Sequence, residues 1–157
     1  MRALHQVERI IVHHAAIPAG EATLERIRRE HVEGRGWRDI GYHFVVELGP
    51  GGVWRVRAGR PTWAEGAHCR ASGMNRRSLG VCLAGYWSPG HDGAPPPEAW
   101  RLLVSLLAAL CHDRGLVAAN ILGHREVPGA KTECPGRSFG LDALRRDVGK
   151  LLRNGRN

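Results

Sequence analysis

The sequence predicts a single α/β domain over residues 1–157, with a central mixed β-sheet flanked by helices. Three observations lead there. Short runs rich in β-branched and aromatic residues alternate along the chain with longer stretches of helical periodicity. Residues 10–14, "IIVHH", are apolar on both faces of an extended chain, as expected of a strand covered on both sides. Finally, 157 residues with 43% hydrophobic content suffice for one core, and no linker, repeat or low-complexity segment divides them.

Each element follows in chain order. Residues 10–14 form the first strand. Residues 22–33, "ATLERIRREHVE", place Leu24, Ile27, His31 and Val32 on one face with charges elsewhere, and Gly34 stops the pattern, so a helix is expected. "YHFVVEL" (42–48) and "VWRVR" (53–57) read as a β-hairpin about the turn "GPGG" (49–52). After an irregular stretch, 58–77, "SLGVCLAG" (78–85) is a further strand. The loop "YWSPGHDGAPPP" (86–97) has no periodicity and is expected to be exposed. Residues 98–112 are helical, with Pro97 near the start and Gly115 beyond the end. Their apolar run is broken at Ser105 and falls short of the roughly 20 residues that a membrane span needs. "AANIL" (118–122) is a last short strand, 123–138 a loop, and 141–152 a closing helix with Leu141, Leu144, Val148, Leu151 and Leu152 at helical spacing.

Lys and Arg number 23 and Asp and Glu 15, giving a formal charge of +8 that draws the protein to polyanions. The arginines are scattered, and no helix-turn-helix, zinc-finger or RNP-type signature accompanies them, so nucleic acid is not the expected partner. An anionic cell envelope satisfies the same charge. The N-terminal "MRALHQVERI" has no apolar stretch of signal-peptide length before Glu8 and Arg9, so synthesis in the cytoplasm without a secretion signal is expected. The four cysteines, Cys69, Cys82, Cys111 and Cys134, show neither CxxC nor a disulfide framework, which leaves reduced thiols available to a metal. Cys82 and Cys111 read as core. Cys69, beside His68, lacks the third partner that a metal site or nucleophile would require.

Two stretches carry chemistry. His13 and His14 are adjacent, and neighbours on a strand face opposite ways, so the pair cannot easily serve one site; periodicity does not choose between them. The loop "LGHREVPGAKTECPG" (122–136) follows a strand and holds His124 and Cys134, which its prolines and glycines allow to turn towards one point. Histidine with cysteine suits Zn2+, and a catalytic zinc takes three protein ligands with a fourth position open. Either His13 or His14 could complete the set. Residue reasoning alone stops at that pair.

In this order, "IVHHAA", "GWRDIGYHFVV", "NRRSLGVCLAG" and "GHREVPGAKTECPG" resemble the zinc-dependent N-acetylmuramoyl-L-alanine amidases of the amidase-2 family, which include short phage endolysins and animal peptidoglycan recognition proteins. The resemblance runs over residues 8–152. It implies a peptidoglycan recognition protein-like single domain, Zn2+ as cofactor, peptidoglycan as substrate, and hydrolysis of the amide joining N-acetylmuramic acid to L-alanine. It also implies roles. The family's first ligand directly follows the aliphatic run, the position of His13, with His14 packed or hydrogen-bonded behind it; His124 and Cys134 match the second and third. Tyr42 matches the catalytic tyrosine, whose phenol bonds the zinc water or the developing oxyanion. Relatives carry Lys or Thr two residues before the third ligand, but this loop is two residues longer. Counting back selects Thr132, residue chemistry favours Lys131, and both stand, Thr132 ahead by position. Glu133 could act as a base.

Trp63, His68 and Asn75 fall in segments that line the substrate groove of the relatives. Cys82 stands where some recycling members carry a catalytic glutamate, which favours the endolysin and recognition-protein branch. The implied setting is a monomeric phage or prophage endolysin that reaches the cell wall after release by a separate pore. The alternatives are a bacterial recycling amidase, a basic nucleic-acid binder or polymerase partner, and a recognition module that binds peptidoglycan uncut. Cys134 argues against the recognition module, because such modules typically lose the third ligand.

Overall fold

A computed structural model describes residues 1–155. Its sheet comprises β1 (Arg9–His14), β2 (Phe44–Leu48), β3 (Trp54–Ala58), β4 (Ser78–Leu83) and β5 (Ile121–Gly123), in the order β3-β2-β4-β1-β5. β1 runs parallel to both of its neighbours, β2 is parallel to β4, and β2 and β3 form the antiparallel hairpin, so the sheet is mixed. Three helices cover it: α1 (Leu24–Arg29), α2 (Pro97–Arg114) and α3 (Leu141–Asn154).

Strand alternation divides the core. Ile10, Val12, Leu79, Val81 and Leu83 face α2 and α3, where Leu103, Leu107, Leu144 and Val148 close a continuous apolar layer. On the other face Val45 and Cys82 meet Leu24 and Ile27 of α1 together with Ile40, while Ile11 packs on Cys69, Met74 and Val127 from the loops. Ile10, Ile11 and Val12 are wholly buried, as a strand covered on both sides requires. The helix ends follow local chemistry. The Thr23 hydroxyl accepts from the Arg26 N–H at the start of α1 (3.2 Å), and α2 begins at Pro97 and ends on Gly115 at φ 65.

Several boundaries differ from those the pattern predicts, each for a physical reason. The first helix widens after Arg29 into a π-helical turn, Glu30–Gly34, which rotates the residues that follow: His31 is buried but Val32 is exposed. Tyr42 and His43 precede β2 instead of lying within it. Residues Ala118–Asn120 form a 3-10 turn before β5, secured by the Val117 N–H donating to Asn120 Oδ1 (2.9 Å). The loop after β4 is not exposed throughout. Trp87 is only 1% exposed, its ring in the main core and its indole N–H donating to the Leu83 carbonyl at 2.9 Å. Among the described residues no helix is long and apolar enough to cross a membrane.

The topology places β1 between β4 and β5, so the carboxyl ends of parallel strands open together at one edge of the domain. Ligand sites in open α/β sheets gather outside such ends. There β1 ends in the two histidines and β5 leads directly into His124.

Candidate metal centre

The side chains of His13, His124 and Cys134 converge at that edge, their ligand atoms all within 4.8 Å of one another. His13 Nδ1 lies 3.6 Å from Cys134 Sγ, and the His13 and His124 rings are 4.7 Å apart, centre to centre. Tetrahedral zinc with ordinary bond lengths holds such ligand atoms about 3.4–3.6 Å apart, so the trio fits the ion with a small contraction. It is the one such cluster among the described residues. His14 points to the opposite face, edge-on to Tyr86 at 5.4 Å. It meets the centre only through its main chain, whose N–H donates to Cys134 Sγ (3.4 Å).

Burial decides the electrostatics. It lowers the pKa of His13 well below 6.5, with His68 and His124 pushing the same way, and it lowers that of His124. Both rings are therefore neutral, with a lone pair free. Burial also pushes the Cys134 thiol up to about 12, opposed by the His14 N–H and Arg125. A thiolate at this position thus calls for a cation beside it, and the donor set of two neutral imidazoles and one thiolate suits zinc.

Arg125 builds the loop. Its main-chain N–H donates to the Cys134 carbonyl (2.8 Å), and its guanidinium donates to the carbonyls of Gly136 (2.6 Å) and Phe139 (3.1 Å). Gly136, at φ 110, passes so close to the Trp87 carbonyl that a Cβ would collide with it. Sequence reasoning did not single out Arg125; its signal is an arginine next to His124, in a loop whose carbonyls need donors.

Tyr42 lies half-buried with its ring 5.0 Å from that of His13. Burial raises its pKa well above 10, so the phenol keeps its proton. His31, also not singled out, supports it: its Nδ1 accepts from the Gly41 N–H (3.1 Å) and its ring is 5.4 Å from that of Tyr42.

A cleft of about 960 Å³ reaches the centre at His124, with Lys131, His68 and Asn75 also in its walls and Arg2, Arg35, Arg38 and Arg70 around them. Trp63 is not among these residues; it is 62% exposed, and Trp37 is the tryptophan that lines the cleft. Asn75 and His68 turn their polar atoms inward. Asn75 Oδ1 accepts from the N–H groups of His68 (2.8 Å) and Cys69 (2.7 Å), and His68 Nδ1 meets His13 Nε2 at 3.0 Å. Thr132 is absent from the cleft lining, and its hydroxyl oxygen accepts from the Cys134 N–H (3.1 Å). Glu133 faces Arg137 at the surface, 3.6 Å away.

The chain is similar to known proteins over most of its length. Residues 3–137 match the profile of a family described as N-acetylmuramoyl-L-alanine amidase. The endolysin of Escherichia phage T7 is 40% identical over 135 residues, 84% of this chain and 81% of that protein. A human N-acetylmuramoyl-L-alanine amidase is 32% identical over 146 residues, 87% of this chain but only 23% of the human protein. The chain thus spans most of the phage protein's length and about a quarter of the human one's. Among solved structures, the Ph2119 endolysin from a Thermus scotoductus bacteriophage superposes with a TM-score of 0.75 at 29% identity, covering 94% of this chain and 89% of that one. Drosophila PGRP-LB gives 0.70 at 29%, covering 88% and 81%. With a mixed sheet and a match over most of its length, the chain belongs to the N-acetylmuramoyl-L-alanine amidase family.

Proposed function

We propose that this domain hydrolyses the amide between N-acetylmuramic acid and L-alanine in peptidoglycan, with zinc held by His13, His124 and Cys134, and that it serves as a monomeric phage or prophage endolysin acting on the cell wall after release. The observation that carries this reading is the convergence of three ligand atoms within 4.8 Å beside a cleft that His124 lines, in a chain of this family. When bound, zinc supplies a Lewis acid that acidifies a water and polarises the scissile carbonyl.

The chain's own residues supply the rest. Tyr42, kept protonated by burial, donates its O–H to the oxyanion that develops as the amide carbon becomes tetrahedral. Lys131, in the cleft wall, adds a positive charge near the same oxygen, while Thr132 holds the turn that carries Cys134. Its place in the wall favours Lys131 over Thr132 as the stabilising group. The arginines around the cleft suit the carboxylates of a peptide stem. The departing amine gains the proton that the attacking water loses.

Mass spectrometry of the soluble products from purified peptidoglycan tests the reading. Free stem peptides with an unblocked L-alanine amine, absent after chelation and restored by zinc, are expected. Sugars released with peptides still attached would place the cut at another bond, and intact peptidoglycan with protein bound would mean a recognition module.

A further inference from the structure

We propose that His68 is a positioning residue for the metal centre: by accepting the Nε2–H of His13 it commits His13 Nδ1 to the ion. This rests on the reading of His13, His124 and Cys134 as ligands.

An imidazole that binds a metal offers a lone pair on one nitrogen and keeps its proton on the other, and the partner of that proton sets which is which. In His13 the nitrogen turned towards Cys134 is Nδ1, at 3.6 Å from the sulfur. Nε2 points the other way, 3.0 Å from His68 Nδ1, and both rings are buried. With Nδ1 of His13 as the ligand atom, Nε2 must be the donor and His68 Nδ1 the acceptor.

The surroundings of His68 are built around that ring. A Cβ on Gly80 would come within 2.5 Å of His68 Cγ, and one on Gly66 would collide with Cδ2, so two glycines in separate segments make its space. Asn75 Oδ1 accepts from the main-chain N–H groups of His68 and Cys69 and fixes the backbone that presents the ring. His43 braces the same region: its Nδ1 accepts from the Gly80 N–H (2.9 Å) and its Nε2–H donates to the Ala64 carbonyl (2.9 Å). Both nitrogens of His43 are thereby occupied, and it does not compete for His13.

A buried imidazole costs more than an apolar side chain of similar size unless its nitrogens are used. Here Nδ1 meets His13 and the Ser78 main chain faces the ring, although Nε2 lacks a partner at full hydrogen-bonding geometry. An imidazole also accepts the His13 proton without adding a negative charge, as a carboxylate partner would. The centre then keeps the net positive charge of a divalent ion and one thiolate, which favours stabilisation of an oxyanion.

The test compares purified full-length wild type with His68→Leu, which removes the acceptor, and His68→Asn, whose carbonyl oxygen can occupy the place of Nδ1. Zinc affinity is measured by competition with a chromophoric chelator, the ligand geometry from the visible absorption of the Co2+-loaded protein, and the fold from a urea midpoint. His68→Leu is expected to weaken zinc binding by roughly 10- to 100-fold and to alter the cobalt spectrum, with His68→Asn recovering most of both. A folded His68→Leu protein with wild-type affinity and spectrum would overturn the proposal. Should that variant not fold, His68→Gln replaces it, because its carboxamide reaches past the Nδ1 position; equal affinities for the Asn and Gln variants would then refute the assignment. Failure of the wild type itself to bind zinc would overturn the metal reading and this one with it, a result distinct from loss of the His68 effect alone.

Discussion

His43 should make the protein sensitive to mild acid. Its ring is fully buried, with both nitrogens bonded to main chain, and burial lowers its pKa from 6.5 to about 4. The folded protein therefore holds His43 neutral, whereas the unfolded chain takes up a proton as pH falls through 6.5, so the unfolded state binds more protons and stability rises with pH. The contribution is fully present above about 6.5 and is lost as pH falls towards 4. At about 1.36 kcal/mol per pH unit, about 2 kcal/mol is lost by pH 5 and about 3 kcal/mol by pH 4. Urea midpoints between pH 7.5 and 5, in a chelator that removes metal linkage, read this loss. His43→Gln cannot ionise there. It should cost about 1–3 kcal/mol at pH 7.5 through a lost buried bond, yet decline less steeply by about 2 kcal/mol over the same interval. If the variant and the wild type lose stability in parallel, His43 is not the group that titrates.

Further outcomes follow from the same structure. Cys134→Ala should abolish hydrolysis and release zinc, measured by metal analysis, while far-UV circular dichroism stays unchanged; full activity would sink the metal assignment. Lys131→Ala should lower kcat by roughly 10- to 100-fold with zinc content intact, whereas Thr132→Val should act mainly by weakening zinc binding, since its hydroxyl braces the Cys134 turn. Steady-state kinetics with metal analysis separates the two. Leu107→Ala, at a wholly buried position of α2, should cost about 2–5 kcal/mol in urea unfolding without changing the kinetics of the folded enzyme.

Local pattern carried much of the fold. Two apolar faces at residues 10–14 marked the inner strand, and Leu141, Leu144 and Val148 marked α3, because burial writes itself into adjacent residues. Trp87 was not legible in the same way. It is a single anchor in an aperiodic loop, and no repeat announces it. Val32 misleads because a widened turn shifts the helical phase after Arg29. At the site, alternation alone shows that His13 and His14 separate. Which of them meets His124 and Cys134 depends on where a loop more than 100 residues later docks, and the family resemblance supplied that choice. The structure brings His13, and not the His14 ring, beside His124 and Cys134. The inward turn of His68 depends on Gly66 and Gly80, whose significance appears only when distant segments are packed together.

The position of His13 on β1, 121 residues before Cys134, has a consequence beyond catalysis. An ion shared between them would be a cross-link tethering the late loop to the first strand. On the entropic account used for disulfides, closing so long a loop restrains the unfolded chain by about 4–5 kcal/mol. All four cysteines are free thiols. Such a staple works in reducing surroundings where a disulfide does not persist, and it is reversible by mass action. The tightness with which the 124–139 loop is held would then follow the free zinc concentration, and hydrogen exchange in that loop would report the metal supply before any substrate is present.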